Sequence, residues 1–227
     1  MKPYTFLLLA ALLSGCASQQ TGRKFADTFA VEKSDFASAG RNRYFILEPG
    51  YYLTLESKDK STVLTITVLK ETRTVDGVET RVVEEKETVN GKPEEISRNY
   101  FAISKKTGDV FYFGEDVDEY KNGQVSAHSG SWLSGVNGAR FGLMMPAHPV
   151  PGMRYQQEIA PKVAMDRAEI VSVSETFETP AGKFENCLKT KESSGLESGS
   201  ENKCYAPDVG LLQDGALKLT RYGRLPE

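Results

Sequence analysis

Histidine, cysteine and tryptophan are scarce in this chain, with two, three and one in 227 residues. The histidines, His128 and His148, have no third partner at metal-ligand spacing, so a catalytic zinc site drawing three protein ligands is not expected. A hydrolytic triad would need one of them beside a nucleophile and a carboxylate. The Gly-x-Ser-x-Gly elbow is absent, however, and Ser126, Ser129, Ser131 and Ser134 around His128 read as turn sequence. Glycine-rich phosphate loops and a dinucleotide fingerprint are missing, which sets nucleotide chemistry aside. The net charge is -3 with both signs intermixed, so no basic patch points to nucleic acid. No run of 18 apolar residues is present, and no protein segment is expected to span a bilayer. These absences leave no catalytic residue, no cofactor and no metal to expect.

One apolar run does stand out, from Tyr4 through Phe6, Leu7, Leu8, Leu9, Ala10, Ala11 and Leu12 into Leu13-Ser14-Gly15-Cys16. Lys2 supplies a positive start, the run is too short to cross a membrane, and small residues precede the cysteine. The pattern resembles the lipobox of bacterial lipoproteins. That resemblance implies a signal peptide over residues 1–15, removal of that peptide, and a diacylglyceryl group on the Cys16 thiol of the acylated mature protein. At about 0.8 kcal/mol per buried methylene, three acyl chains hold a protein to a membrane where one does so only marginally. The expected location is the cell envelope. Ala17 follows the cysteine where Asp would resemble an inner-membrane retention signal, so the outer membrane is expected in a host that has one.

With Cys16 given to lipid, Cys187 and Cys204 are the two thiols left, facing an oxidising compartment. Segments Phe184 to Glu192 and Ser200 to Ala206 flank the turn Ser193-Ser194-Gly195-Leu196-Glu197-Ser198-Gly199. A hairpin symmetric about Gly195 and Leu196 puts Cys187 across from Cys204, at disulfide separation. Such a bridge would contribute about 3 kcal/mol in the chain-entropy model. Free buried thiols or a metal pair are the alternatives.

Residues 16–43 are polar and rich in small residues, and read as a lipidated N-terminus and tether in which Phe25, Phe29 and Phe36 could dock through a short helix. From Tyr44, strand-like runs alternate with turn signals: Pro49-Gly50, Asp76-Gly77, Asn90-Gly91, Thr107-Gly108 and Asn122-Gly123. Asp-Gly and Asn-Gly are hairpin signals because both residues accept positive φ. Leu64, Ile66 and Val68 share one face of a strand, and Val110 to Phe113 is apolar on both faces, as in a strand covered twice. Gly135 to Pro151 reads as a long loop or crossover. The acidic residues Glu115, Asp116, Asp118 and Glu119 would alternate along a strand and not converge on a cation, and Glu84 to Glu87 reads as an exposed strand whose charges discourage edge pairing.

Thr179-Pro180-Ala181-Gly182-Lys183-Phe184, with Cys204-Tyr205-Ala206-Pro207-Asp208-Val209-Gly210-Leu211, resembles the C-terminal hairpin of a group of secreted bacterial β-proteins, and Met144-Met145-Pro146-Ala147-His148-Pro149 is similar to another segment of that group. The resemblance implies a fold and carries no activity across.

The expected architecture is all-β: a signal peptide over 1–15, the tether over 16–43, and one domain over 44–227, a curved antiparallel meander or partly open barrel. The expected function is a non-enzymatic, lipid-anchored binding or structural module at the membrane surface, with a protein or hydrophobic ligand as partner. The alternative is a carrier or acceptor of hydrophobic molecules, similar to the periplasmic lipoprotein-sorting proteins with their half-open barrel. An envelope hydrolase stands third and requires a cleft bringing His128 or His148 to a nucleophile.

Overall fold

The computed structural model describes residues 24–226; the lipobox and Cys16 lie outside the described residues. A 3-10 turn, Lys33–Asp35, leads into the short strands β1 (Phe36–Ala37), β2 (Gly40–Asn42) and β3 (Phe45–Leu47). A meander follows through β4 (Tyr51–Glu56), β5 (Thr62–Val75), β6 (Val78–Val89), β7 (Lys92–Ser104) and β8 (Val110–Lys121). The short strands β9 (Gln124–Ala127), β10 (Trp132–Leu133), β11 (Arg140–Met145), β12 (Arg154–Gln156) and β13 (Glu158–Ile159) come next. The chain closes with β14 (Asp166–Thr179), β15 (Gly182–Ser194), β16 (Glu201–Ala206), β17 (Gly210–Asp214) and β18 (Leu217–Arg224).

The turn chemistry accounts for the meander. Asp76, Asn90 and Asn122 have φ of 48°, 51° and 56°, each followed by a glycine with φ between 75° and 78°. These are the paired positive angles of the tightest hairpins. Residues 62–75, 78–89 and 92–104 are thereby laid side by side, and Leu64 and Val68 point into the core as their alternation requires.

Thirteen strands follow one path in the order β12, β14, β15, β16, β17, β18, β4, β5, β6, β7, β8, β11, β13. The two ends of that path, β12 and β13, are consecutive pieces of the chain separated by Gln157. Tyr155 pairs with Ala168 on one side, Phe141 with Glu158 on the other, and the Gln157 amide donates to the Asp166 carbonyl at 2.8 Å. One short segment therefore joins both edges into a nearly closed barrel, which leaves few unpaired edge groups. Gly142 makes this junction possible: a Cβ there would stand 2.3 Å from the Gln157 carbonyl oxygen.

An aromatic layer covers the outside of β8. Phe29 and Phe36 pack edge-on against Phe111 at 5.5 and 5.3 Å, and Phe36 also meets Phe113 at 5.2 Å. Inside, Tyr112 stacks on Phe101 with 4.6 Å between ring centroids. Apolar residues on both faces of Val110–Phe113 are thus each buried, one face by the barrel and one by the N-terminal segment. Phe25 lies beneath Arg154 and Arg167, whose guanidinium carbons are 4.2 and 4.8 Å from its ring centre. Residues 24–43, grouped with the tether on composition, lie against the barrel here, and the 3-10 turn is their helical element.

Three expectations need correction. Gly135 to Pro151 contains the paired strand β11, which the glycines and prolines around it mask in the sequence. Glu84 to Glu87 is not a free edge: β6 lies between β5 and β7, and Glu85 faces the interior. The disulfide is not formed, and Cys187 and Cys204 are free, buried thiols. The 15–16 hairpin pairs Leu188 with Tyr205 and Lys189 with Cys204, two residues out of step with a turn centred on Gly195 and Leu196. The cause is β14, which holds β15 in register as far as Ser194 while the Gly195 amide bonds the Met165 carbonyl, so the turn begins later. The Pro-Ala-Gly and Tyr-Ala-Pro-Asp-Val-Gly segments form the turns from β14 to β15 and from β16 to β17.

Candidate functional site

One end of the barrel holds a cavity of about 670 Å³, within the roughly 300–1,000 Å³ of ligand pockets. The exposed β15–β16 turn, including Leu196 and Glu197, stands at its mouth. Strand alternation builds one wall: the inner face of β7 reads Glu95, Ser97, Asn99, Phe101, polar toward the mouth and apolar below.

The neighbouring wall needs an irregularity. Tyr112 and Glu115 are three apart on β8 and would face opposite sides of a regular strand. Their partners on β7 are Phe101 and Asn99, two apart, so β8 carries an extra residue at Phe113 and Gly114. This bulge puts both side chains on the cavity. Gly114 has φ 135°, and a Cβ there would lie 2.3 Å from the Trp132 carbonyl oxygen.

Among the described residues, eight carboxylates line the cavity against one cation, Lys203. Lys203 Nζ lies 3.6 Å from Glu192, 3.7 Å from Glu201 and 3.3 Å from Asp214. Burial opposes its charge, but Glu192, Asp214, Glu201 and Glu85 outweigh that and hold its ammonium above the ordinary lysine range. Glu192 also accepts hydrogen bonds from Thr190 Oγ1 at 2.9 Å and the Tyr205 hydroxyl at 3.3 Å. Glu85, Glu95, Glu115 and Glu158 have no cation at ion-pair distance among the described residues.

The electrostatic consequence is direct. Burial pushes the Glu85 carboxyl up to about 7, with Asp214 and Glu95 adding to it and Lys203 opposing. Burial likewise pushes Glu115 to about 7, with Tyr112 nearby favouring its charged form and Glu85, Glu95 and Asp166 repelling it. Glu158 is held well above the carboxylate range by burial, then by Glu115 and Asp166. The wall is otherwise ordered by hydrogen bonds: the Tyr112 hydroxyl donates to Asn99 Oδ1, and Asn99 Nδ2 donates to Ser97 Oγ at 3.1 Å. Among the described residues no three His, Cys, Asp or Glu side chains come together to hold a metal ion.

Below the acidic wall a second void of about 80 Å³ is bounded by Tyr51, Leu53, Ile66, Val83 and Tyr205, and it shares Glu85 and Lys203 with the first. The rest of the interior is filled by its own side chains, with Leu55, Val83, Leu188, Leu212 and Leu219 almost fully buried.

The residues singled out from sequence lie elsewhere. Cys187 and Cys204 do not line the cavity, and neither histidine does. His128 is exposed, with Nδ1 3.0 Å from Asp118 and 2.9 Å from the Val117 carbonyl. Three of the serines near it are engaged: Ser126 Oγ donates to the Glu119 carbonyl, Ser131 Oγ accepts from the Val117 amide and Ser134 Oγ donates to Asp76. Asp116 and Asp118 lie outside, paired with Arg73 and Arg98, while Glu115 turns in. Glu85, Glu158, Glu192 and Lys203 escaped sequence reasoning. Their signal was polar residues at alternate positions of otherwise apolar inner faces, visible once register is known.

No protein-family model matches the chain, and no curated protein matches it. Among solved structures, a candidate lipoprotein from Parabacteroides distasonis is similar over 81% of this chain and 100% of its own, with 13% identity and a TM-score of 0.37.

Proposed function

We propose that this protein is a non-enzymatic, lipid-anchored binding module of the cell envelope, held through Cys16 and taking a polar ligand into the open end of its barrel. The 670 Å³ cavity carries this reading, because it combines ligand-sized space with convergent hydrogen-bonding groups on a rigid wall. The lipobox Leu13-Ser14-Gly15-Cys16 supports the anchor, and Ala17 supports the outer membrane in a diderm host. Carriage of hydrophobic molecules has less support: the apolar void is about 80 Å³, and the larger space is walled by carboxylates.

The test is native mass spectrometry of the full-length protein, purified gently in detergent from its own envelope. Wild type is expected to carry a small molecule that Ser97→Phe, which sets a bulky ring on the cavity wall where Ser97 offers a hydroxyl, does not. Equal spectra from the two folded proteins would defeat the proposal.

A further inference from the structure

The cavity wall is unbalanced in a way the fold itself does not correct. Lys203 is the one cation on it among the described residues and is shared among Glu192, Glu201 and Asp214. Glu85 on β6, Glu95 on β7, Glu115 on β8 and Glu158 on β13 are left facing the same space without one. Glu85, Glu115 and Glu158 are half-buried and Glu95 is exposed; a partly desolvated carboxylate without a partner is costly, and the usual remedy is a counter-charge or a proton.

A second feature is independent of these acids. Tyr155 points into the barrel from β12, in the cross-strand row Tyr155, Ala168, Glu192, whose last member lines the cavity. It is 1% exposed, and its hydroxyl has no hydrogen-bond partner among the described residues. A buried hydroxyl left unmatched near Glu192 has both its proton and its lone pairs free, and the lone pairs can accept from a donor in the cavity. Phe101 and Tyr112 add aromatic rings to the same wall, and such rings attract cations.

The carboxylates are spread around the wall and, among the described residues, do not converge in threes as a metal ion requires. Spaced negative charge matches spaced positive charge. Resting on the binding reading above, we infer that the ligand is a small organic cation with at least two separated ammonium groups, bound by Glu85, Glu115 and Glu158 and reaching toward Tyr155.

Such a ligand must displace protons. Near neutral pH Glu85 and Glu115 are each about half protonated, so a bound cation drives them to the charged form. The facing groups are Glu85, Glu95, Glu115, Glu158, Asp166, Glu192, Glu197, Glu201, Asp214 and Lys203. Acids lowering their proton occupancy across pH 6 to 8 make affinity rise with pH.

The test is isothermal titration of the full-length protein in detergent with spermidine, and separately with magnesium, maltose and citrate. Spermidine is expected to bind one-to-one, roughly tenfold or more tightly at pH 8 than at pH 6, with protons released as judged by two buffers of different ionisation enthalpy. Glu85→Gln and Glu115→Gln, amides that imitate the protonated state and leave the fold intact, should each weaken binding about tenfold. Asp208→Asn, on an exposed turn, should not. Binding of maltose or citrate without spermidine would overturn the cationic ligand and leave the binding module standing. Magnesium binding as well as spermidine, or spermidine binding that both amide variants retain, would overturn the inference as well. Failure of all four probes overturns it too, while the co-purification result still judges the broader reading.

Discussion

Tyr112 and Glu115 share one cavity although they are three residues apart on β8, because the strand bulges at Gly114 between them. The bulge converts a register rule that would separate the two side chains into one that joins them. Gly114→Ala places a methyl against the Trp132 backbone at a φ of 135°. The expected cost is about 3 kcal/mol or more, read as a fall in the denaturation midpoint. A variant as stable as wild type would show that the bulge is not held by glycine.

The raised carboxyls set a pH dependence. Glu85 and Glu115, near 7 when folded against the ordinary 4.5, keep protons that the unfolded chain has lost above that value. Their contribution to stability is full below pH 4.5 and is lost as pH rises through about 7. Depressed carboxyls such as Asp35 and Glu48 act only at more acidic pH. The melting temperature should therefore fall between pH 5 and pH 8, and Glu85→Gln with Glu115→Gln should flatten the slope. Together they should raise stability at pH 8 by about 2 kcal/mol. A melting temperature that rises over this range would contradict the assignment.

Lys203 is the counterweight. Lys203→Met leaves Glu192 and Asp214 without their cation and should cost about 2–3 kcal/mol, below the 3–5 of a fully buried pair because water reaches part of the site. Chemical denaturation at pH 7.5 measures it, and the loss should shrink as the solution is acidified and the carboxyls protonate.

Cys187 and Cys204 should behave as inert thiols. Burial raises both above the ordinary thiol value, so alkylation of the folded protein without reductant should be slow. After unfolding in denaturant, two thiols should react per chain. None reacting would mean that the hairpin had shifted to the register that brings the two cysteines across from each other.

Cys16→Ser tests the anchor. The variant should appear in the soluble fraction of the envelope, with the barrel's melting temperature unchanged.

Much of the fold was legible in local chemistry. Asp76-Gly77, Asn90-Gly91 and Asn122-Gly123 announced their hairpins because positive φ is a property of the residues themselves. What was hidden depends on distant partners. The Cys187 register is set by β14, which lies beside β15 and not within the hairpin. Glu85 looked like a surface charge until its strand was placed between two others, and the closing segment 154–159 carries no signal that it bridges two sheet edges. Glu115 looked like one acid in a run; alternation sets it opposite Asp116 and Asp118, and the bulge puts it on the cavity face with Tyr112.

Trp132, the single tryptophan, packs edge-on to Tyr112 at 5.4 Å and pairs with Glu115 across β10 and β8, so its fluorescence reports on the cavity wall. The most direct measurement is a titration of full-length protein with the small-molecule fraction of the host envelope, following Trp132 emission. A saturable change that Ser97→Phe abolishes is the predicted result. An emission spectrum that stays constant, or that changes equally in Ser97→Phe, would contradict a ligand in the barrel.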